Sequence, residues 1–291
     1  HQLQDDRFFQ NIETLLSENR QQLYQSYQFN ISPATDNQPY FSQFLRFSRL
    51  ASLTELVSFR QLPFFEMGSF ILGMTLLILV ILAMVLIILP LLRLGRHRSG
   101  HLRTFVFFGS LGLGYMMLEI VFIQGLTLFL GHPLMAVATV LCALLFSSGL
   151  GSLYSERFSP RPTTIRLLAA LVCLCIVFYG IILITAGGLA FSGKLELRIL
   201  LAALGIAPIG FILGMPFPLG LRWLHSEFPE QIPWAWGVNG CLSVIGPALA
   251  TVVAVQSGFQ MVYLLAAAAY FLASCSVASR LAKSGGRRER G

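Results

Sequence analysis

From Met67 onward the chain alternates long apolar runs with short polar joints. Seven runs stand out, at 67–92, 104–130, 133–154, 165–189, 197–221, 233–257 and 259–280. A helix that crosses the hydrocarbon core of a bilayer needs about 20 mostly apolar residues. In lipid, backbone amides and carbonyls must be satisfied within their own segment, so the runs predict helices rather than strands. The clearest is Phe70 to Leu92, which carries no charged residue. The pattern predicts an all-α fold: a polytopic transmembrane helix bundle of about seven spans, preceded by a short amphipathic extra-membrane segment.

Residues 1–66 follow another rule. They are rich in Gln and Asn and hold seven acidic residues and five arginines. Phe8, Ile12, Leu15, Leu16, Leu23 and Tyr24 recur at helical spacing and predict an amphipathic helix over 8–28. A turn-rich stretch from Ser32 to Phe41 follows. Residues 42–60 are amphipathic again, with Phe44, Phe47, Leu50, Leu53, Leu56 and Val57 among Arg46, Arg49 and Arg60. Such a segment can lie along a membrane surface or pack on a further domain. The expected organisation is an edge or remnant of a preceding soluble domain at 1–40, an interfacial linker at 41–66, the bundle at 67–280 and a basic tail at 281–291.

Composition agrees with a lipid solvent. The 291 residues are 55% hydrophobic and 11% charged, with mean hydropathy +0.72. Soluble domains carry about 25% charged residues. The net charge of +7 does not point to nucleic acid, because the basic residues sit at the ends of apolar runs. Counted over alternate joints and the tail, thirteen Lys and Arg lie on one side, from Arg93 to Arg290, against Lys194 and Arg198 on the other. That bias predicts a cytoplasmic C-terminus and places residues 1–66 on the opposite face. No charged region followed by a short apolar one opens the chain, so no signal peptide is expected, and a start at His1 reads as a fragment or processed product. Cys142, Cys173, Cys175, Cys241 and Cys275 all fall in apolar runs and read as small packing residues.

Several stretches together resemble the membrane region of bacterial spermidine synthase-like multi-pass proteins. They are Pro33 to Phe41, Leu111 to Ile120 continuing to Gln124, Leu130 to Pro133, Ser148 to Ser152, Gly214 to Gly220 and Trp234 to Gly240. The resemblance spans about residues 30–280. It implies a partner domain, Rossmann-like and similar to aminopropyltransferases and methyltransferases, that binds an S-adenosylmethionine-type nucleotide and precedes His1. This chain holds no strand followed by a Gly-rich turn and a helix. Its glycine pairs, such as Gly112 and Gly114, lie inside apolar helices, where the amides are already bonded and cannot cradle a phosphate. No catalytic residue is therefore carried over, and no cofactor is expected in this chain.

Inside the membrane, Glu119 is the most informative residue. A charged side chain at mid-bilayer costs about 2.5–3.5 kcal/mol on insertion scales, so it must face protein or water. Tyr115 lies four residues earlier on the same face and can donate a hydrogen bond to it. Two readings stand: a proton or cation site on a transport path, or a carboxyl that ties neighbouring helices together. His132 precedes Pro133 in a tight turn, with no second His, Cys or acid at ligand spacing, so no metal site is predicted.

The fifth run contains Pro208, Pro216 and Pro218. Interior proline removes a helix hydrogen bond, so a kink or unwound segment is expected near 208–218. Transporters use such breaks at midplane sites, and membrane helices also kink without any ligand. Asn239 lies one turn into the sixth run, below Trp234 and Trp236, and can bond across helices or contact a substrate. No Ser/His/acid set, Cys/His set or carboxylate pair is present. Three functional classes follow: the membrane module of a spermidine synthase-like protein, a transporter of polyamines or other small organic cations using Glu119, and an anchor or scaffold without its own activity.

Overall fold

The computed structural model describes residues 12–17, 20–27, 29–40, 44, 46, 67–93, 98–186 and 193–288. The chain forms two compact units, residues 1–73 and 74–291. Among the described residues there is no β-strand, only an isolated antiparallel bridge between Thr35 and Gln38.

In the first unit, residues 12–16 are helical and a short helix α1 runs Arg20–Ser26. The stretch predicted as one amphipathic helix is thus described only in part. Leu16 is 84% exposed, while Leu23 and Tyr24 of the same stripe are half-buried. The turn-rich stretch closes through Gln38 N–H donating to the Thr35 carbonyl at 2.9 Å. Arg46 donates to the Tyr24 carbonyl at 2.6 Å, and the Asn30 amide to the Phe44 carbonyl at 2.7 Å. These bonds pin the chain that follows the turn back onto α1. The remainder of the predicted 42–60 segment lies outside the described residues.

The spans are α2 (Met67–Arg93), α3 (Arg98–Leu130), α4 (Pro133–Tyr154), α5 (Pro162–Ala186), α6 (Leu195–Leu213), α7 (Pro216–Glu227), α8 (Ile232–Ser257) and α9 (Phe259–Arg288). Seven stretches are long and apolar enough to cross a membrane, with α6 and α7 together making the fifth. The fold is an all-α seven-span bundle. The unit boundary at Gly73–Met74 falls inside α2.

Within the second unit, α3 packs along α8 and α9, α9 packs along α5, and α4 packs along α6. About half of the apolar stretch of α3 and of α9 is buried, more than in any other span, so these two helices form the centre. Lipid tails are as apolar as leucine, so helices associate through close packing and polar bridges rather than by expelling water. The exposed surface is accordingly Leu, Ile and Phe, such as Phe146, Leu174 and Leu204. The buried surface mixes small residues, such as Ala136, Ala169, Ala235 and Ala266, with large ones, such as Phe108, Leu118 and Tyr270.

Turns are set by glycine and proline. Gly131 adopts φ +73 between α3 and α4, its amide bonded to the Thr127 carbonyl at 2.9 Å, and Pro133 then opens α4. A left-handed residue there suits glycine, which meets no Cβ clash. Pro162, Pro216 and Pro233 sit in the first turns of α5, α7 and α8, where an amide would lack a helical partner anyway. His132 occupies the N-cap of α4 without a side-chain cap bond, as a turn residue.

Candidate functional site

The interior of the bundle is organised by two close helix crossings. On α4, Ser147, Ser148 and Gly151 face Gly210, Phe211 and Gly214 of α6 and its end. A Cβ on Gly151 would run into the Phe211 carbonyl oxygen, one on Gly214 into the Ser148 carbonyl, and one on Gly210 into the Ser147 hydroxyl. Ser147 keeps its own hydroxyl satisfied on the Ala143 carbonyl at 2.5 Å. Both helices thus carry a small-x-x-x-small pair, Ser147/Gly151 and Gly210/Gly214, and their backbones touch.

The second crossing joins α3 and α8. A Cβ on Gly112 would lie 2.5 Å from the Asn239 carbonyl, 2.7 Å from its side-chain amide and 2.7 Å from the Ser243 hydroxyl. A Cβ on Gly246 would lie 2.8 Å from the Met116 Cβ. Asn239 Nδ2 donates to the Phe108 carbonyl at 2.9 Å. At one end of the same pair, Thr104 donates to Gln231 Oε1 at 2.6 Å, both residues buried. A row of edge-to-face rings, Phe107–Phe108, Phe108–Phe217 and Phe217–Trp236, at 5.0, 5.4 and 4.9 Å, ties α3 to α7 and α8.

These crossings bring together segments far apart in sequence. The Leu111–Ile120 stretch lies on the Trp234–Gly240 stretch, and Ser148–Ser152 lies on the start of Gly214–Gly220. Within them Gly112, Gly151 and Gly214 are positions of closest approach, while Gly149, Gly237 and Gly240 face open space.

Between the two crossings lies a polar junction. Tyr115 of α3 is 3.5 Å, hydroxyl to hydroxyl, from Ser148 of α4. Glu119 is half-buried one turn further along α3, within electrostatic reach of Tyr115. It lies about 4.5 Å along the axis from the middle of the Leu102–Leu130 span, at 1.5 Å per residue. Its carboxylate receives no hydrogen bond from the described residues. Tyr115 and Glu119 are therefore together, as the helical spacing predicts, but Tyr115 leans to Ser148 rather than bonding the carboxylate. Asn239 stands one turn away, beside Gly112, with its amide committed to Phe108. Ser148 carried no chemical expectation in the sequence. Its signal was only that it is small and followed by Gly149 and Gly151.

The three prolines of the fifth span sit in different settings. α6 continues through Pro208 without interruption. Pro208 withholds the amide that would meet the Leu204 carbonyl, and in that turn the Tyr179 hydroxyl of α5 donates to the Gly205 carbonyl. A neighbouring hydroxyl in the same turn helps hold the helix, as membrane helices allow. The interruption comes at Gly214–Met215. Both residues stay near right-handed helical angles, with Gly214 at φ −71, ψ −15 and Met215 at φ −84, ψ −42. Pro216 cannot donate to Ile212, whose carbonyl is met instead by the Met215 amide at 3.2 Å. Pro218 likewise cannot donate to the Gly214 carbonyl. The break thus stands beside Ser148, on the same crossing that leads to Tyr115 and Glu119. A further interior proline, Pro247 of α8, also leaves its helix continuous.

Arginines finish the ends. Arg222 of α7 donates to the Ser155 carbonyl at 2.5 Å and to the Glu156 carbonyl at 3.4 Å, capping the chain where α4 ends. Arg198 lies over the Phe129 ring at 5.0 Å, at the opposite end of α3. No cluster of three His, Cys, Asp or Glu that could hold a metal occurs among the described residues. Comparison with protein-family models, curated proteins and solved structures finds no match to this chain.

Proposed function

We propose that this chain is the integral-membrane module of a bacterial spermidine synthase-like protein, set in the inner (plasma) membrane with its tail in the cytoplasm. The reading is supported by the motif stretches that suggest it. Four of them meet in two pairs, where Gly112, Gly151 and Gly214 with Asn239 and Ser148 share a structural task in one bundle. Catalysis then belongs to a Rossmann-like nucleotide-binding domain preceding His1. The direct check is the coding sequence upstream of His1. An in-frame strand, glycine-rich turn and helix is the expected result. A start codon immediately before His1, with no such domain, overturns the proposal.

A second reading is favoured by one observation. Glu119 is an intramembrane carboxylate that the described residues leave without a hydrogen bond, beside Tyr115, Ser148 and the interrupted α6–α7 helix. A carboxylate there suits an amine or another small organic cation. Radiolabelled spermidine uptake into proteoliposomes tests it. Uptake by the wild type and its loss in Glu119→Gln, with unchanged expression, is the expected result. Equal uptake by both removes Glu119 from any transport path.

A further inference from the structure

Glu119 carries its charge alone. Between Thr104 and Leu130, α3 holds no other charged residue. α4 and α8 hold none, α9 holds none before Arg280, and α6 and α7 hold none between Arg198 and Arg222. No basic side chain is at hand within these spans to neutralise the carboxylate. The other titratable groups on the helices packed against α3, and on α3 itself, are phenols and thiols: Tyr115 on α3, Tyr263, Tyr270 and Cys275 on α9, Cys142 on α4 and Cys241 on α8. Neither kind gains a positive charge at any pH. His225 of α7 is exposed, two residues beyond the point where Trp223 meets Arg103 at the end of the bundle.

The direction of Glu119 follows from its neighbours along α3. Gly112, seven residues earlier, meets Asn239 and Ser243 of α8. Tyr115, four residues earlier, meets Ser148 of α4. Residues four and seven apart share one face of a helix. α4 and α8 both pack on α3 and not along each other. Glu119 therefore points between them, and it is half-buried rather than enclosed. Behind Tyr115 stands a further hydroxyl. Tyr270 is 1% exposed, and a Cβ on Gly114 would lie 2.8 Å from its ring. Its hydroxyl has no hydrogen-bond partner among the described residues and lies within electrostatic reach of Tyr115. Such a group is free to bond whatever Tyr115 holds.

An ionised carboxylate at this depth is disfavoured unless it is paired. Glu119 thus has two neutral states: the carboxylic acid, and the carboxylate paired with a cation. Each excludes the other, because one negative charge is cancelled only once. We propose that Glu119 exchanges one proton for one ammonium group, so that a cation moving through this site is coupled to a proton moving the other way. The proposal rests on the reading of Glu119 as a cation site. In the exchange, the O–H bond of the acid breaks and its proton passes to water on the side from which the amine arrives. The carboxylate oxygens then accept N–H bonds from the ammonium, and the Tyr115 and Ser148 hydroxyl oxygens accept the others. The return of a proton to the carboxylate reverses each step and releases the amine.

The test uses the full chain in proteoliposomes with radiolabelled spermidine as probe, a pH dye in the lumen, and the membrane potential clamped by potassium and valinomycin. For one proton exchanged per cation, each pH unit across the membrane changes accumulation about tenfold. The wild type should accumulate about tenfold more spermidine when the lumen is one unit more acidic than the outside than when the two are equal. Spermidine added outside should also make the lumen more alkaline. Both results come from the wild type and depend on no variant. Glu119→Gln should remove both. Glu119-dependent uptake that ignores the gradient and moves no protons overturns the exchange and leaves the cation site standing. No uptake by the wild type, or equal uptake by Glu119→Gln, overturns the cation site and the exchange with it.

Discussion

Gly151 of α4 lies so close to Phe211 of α6 that a methyl group on it would overlap the Phe211 carbonyl oxygen. Gly149, two residues earlier on the same helix, has open space where a Cβ would be. The pair of positions isolates what the α4–α6 crossing demands. Gly151→Ala should destabilise the bundle by about 1–3 kcal/mol through forced separation of the helices. Gly149→Ala should be neutral or stabilising by up to about 1 kcal/mol, from helix propensity alone. Thermal unfolding in detergent reads both, and equal effects at the two positions would contradict the crossing.

The α3–α8 crossing makes a parallel demand on Asn239. Its amide bonds the Phe108 carbonyl, and its side chain fills the space beside Gly112. Asn239→Ala should lose about 0.6–2 kcal/mol, the range for polar contacts between membrane helices. Gly112→Ala should cost more, because the Asn239 carbonyl it meets is backbone and cannot rotate away. Unfolding midpoints of the two variants check the order.

Thr104 and Gln231 form a buried pair at 2.6 Å. Breaking one partner leaves the other desolvated, at a cost of about 1–3 kcal/mol. Thr104→Val should therefore destabilise markedly, while Thr104→Val with Gln231→Leu should recover much of the loss. A double-mutant cycle measures the coupling, and strictly additive losses would show that the bond contributes nothing.

Arg222 donates to the carbonyls of Ser155 and Glu156 where α4 ends. Arg222→Gln should loosen this joint by about 1.5–3 kcal/mol, the usual range for charge-assisted bonds. Hydrogen–deuterium exchange should rise over 153–160 and stay unchanged in α9. A uniform rise across the bundle would contradict a local cap.

Sequence made the spans legible because a bilayer sets a length, and Phe70–Leu92 or Phe259–Val277 meets it without further help. It also made the Tyr115–Glu119 face legible, since helical spacing is local. Partners were not legible. Gly112 and Gly151 announce that a backbone comes close, but nothing in a local period says that one meets Asn239 and the other Phe211. Pro208 shows the same limit. Its missing amide is visible in the sequence, while the Tyr179 hydroxyl that bonds Gly205 in that turn comes from another helix. The interruption at Gly214–Met215 depends on two prolines that withhold amides from the Ile212 and Gly214 carbonyls, with glycine and serine allowing α4 to close against it.

Everything rests on seven crossings with alternating ends. The most direct measurement is side-specific labelling of single cysteines, placed in a background with the five native ones replaced. Cysteines at 95, 159 and 228 should react with an impermeant maleimide from one face of the membrane. Those at 132, 193 and 257 should react only from the other. If all six react from the same face, the seven-span bundle is wrong.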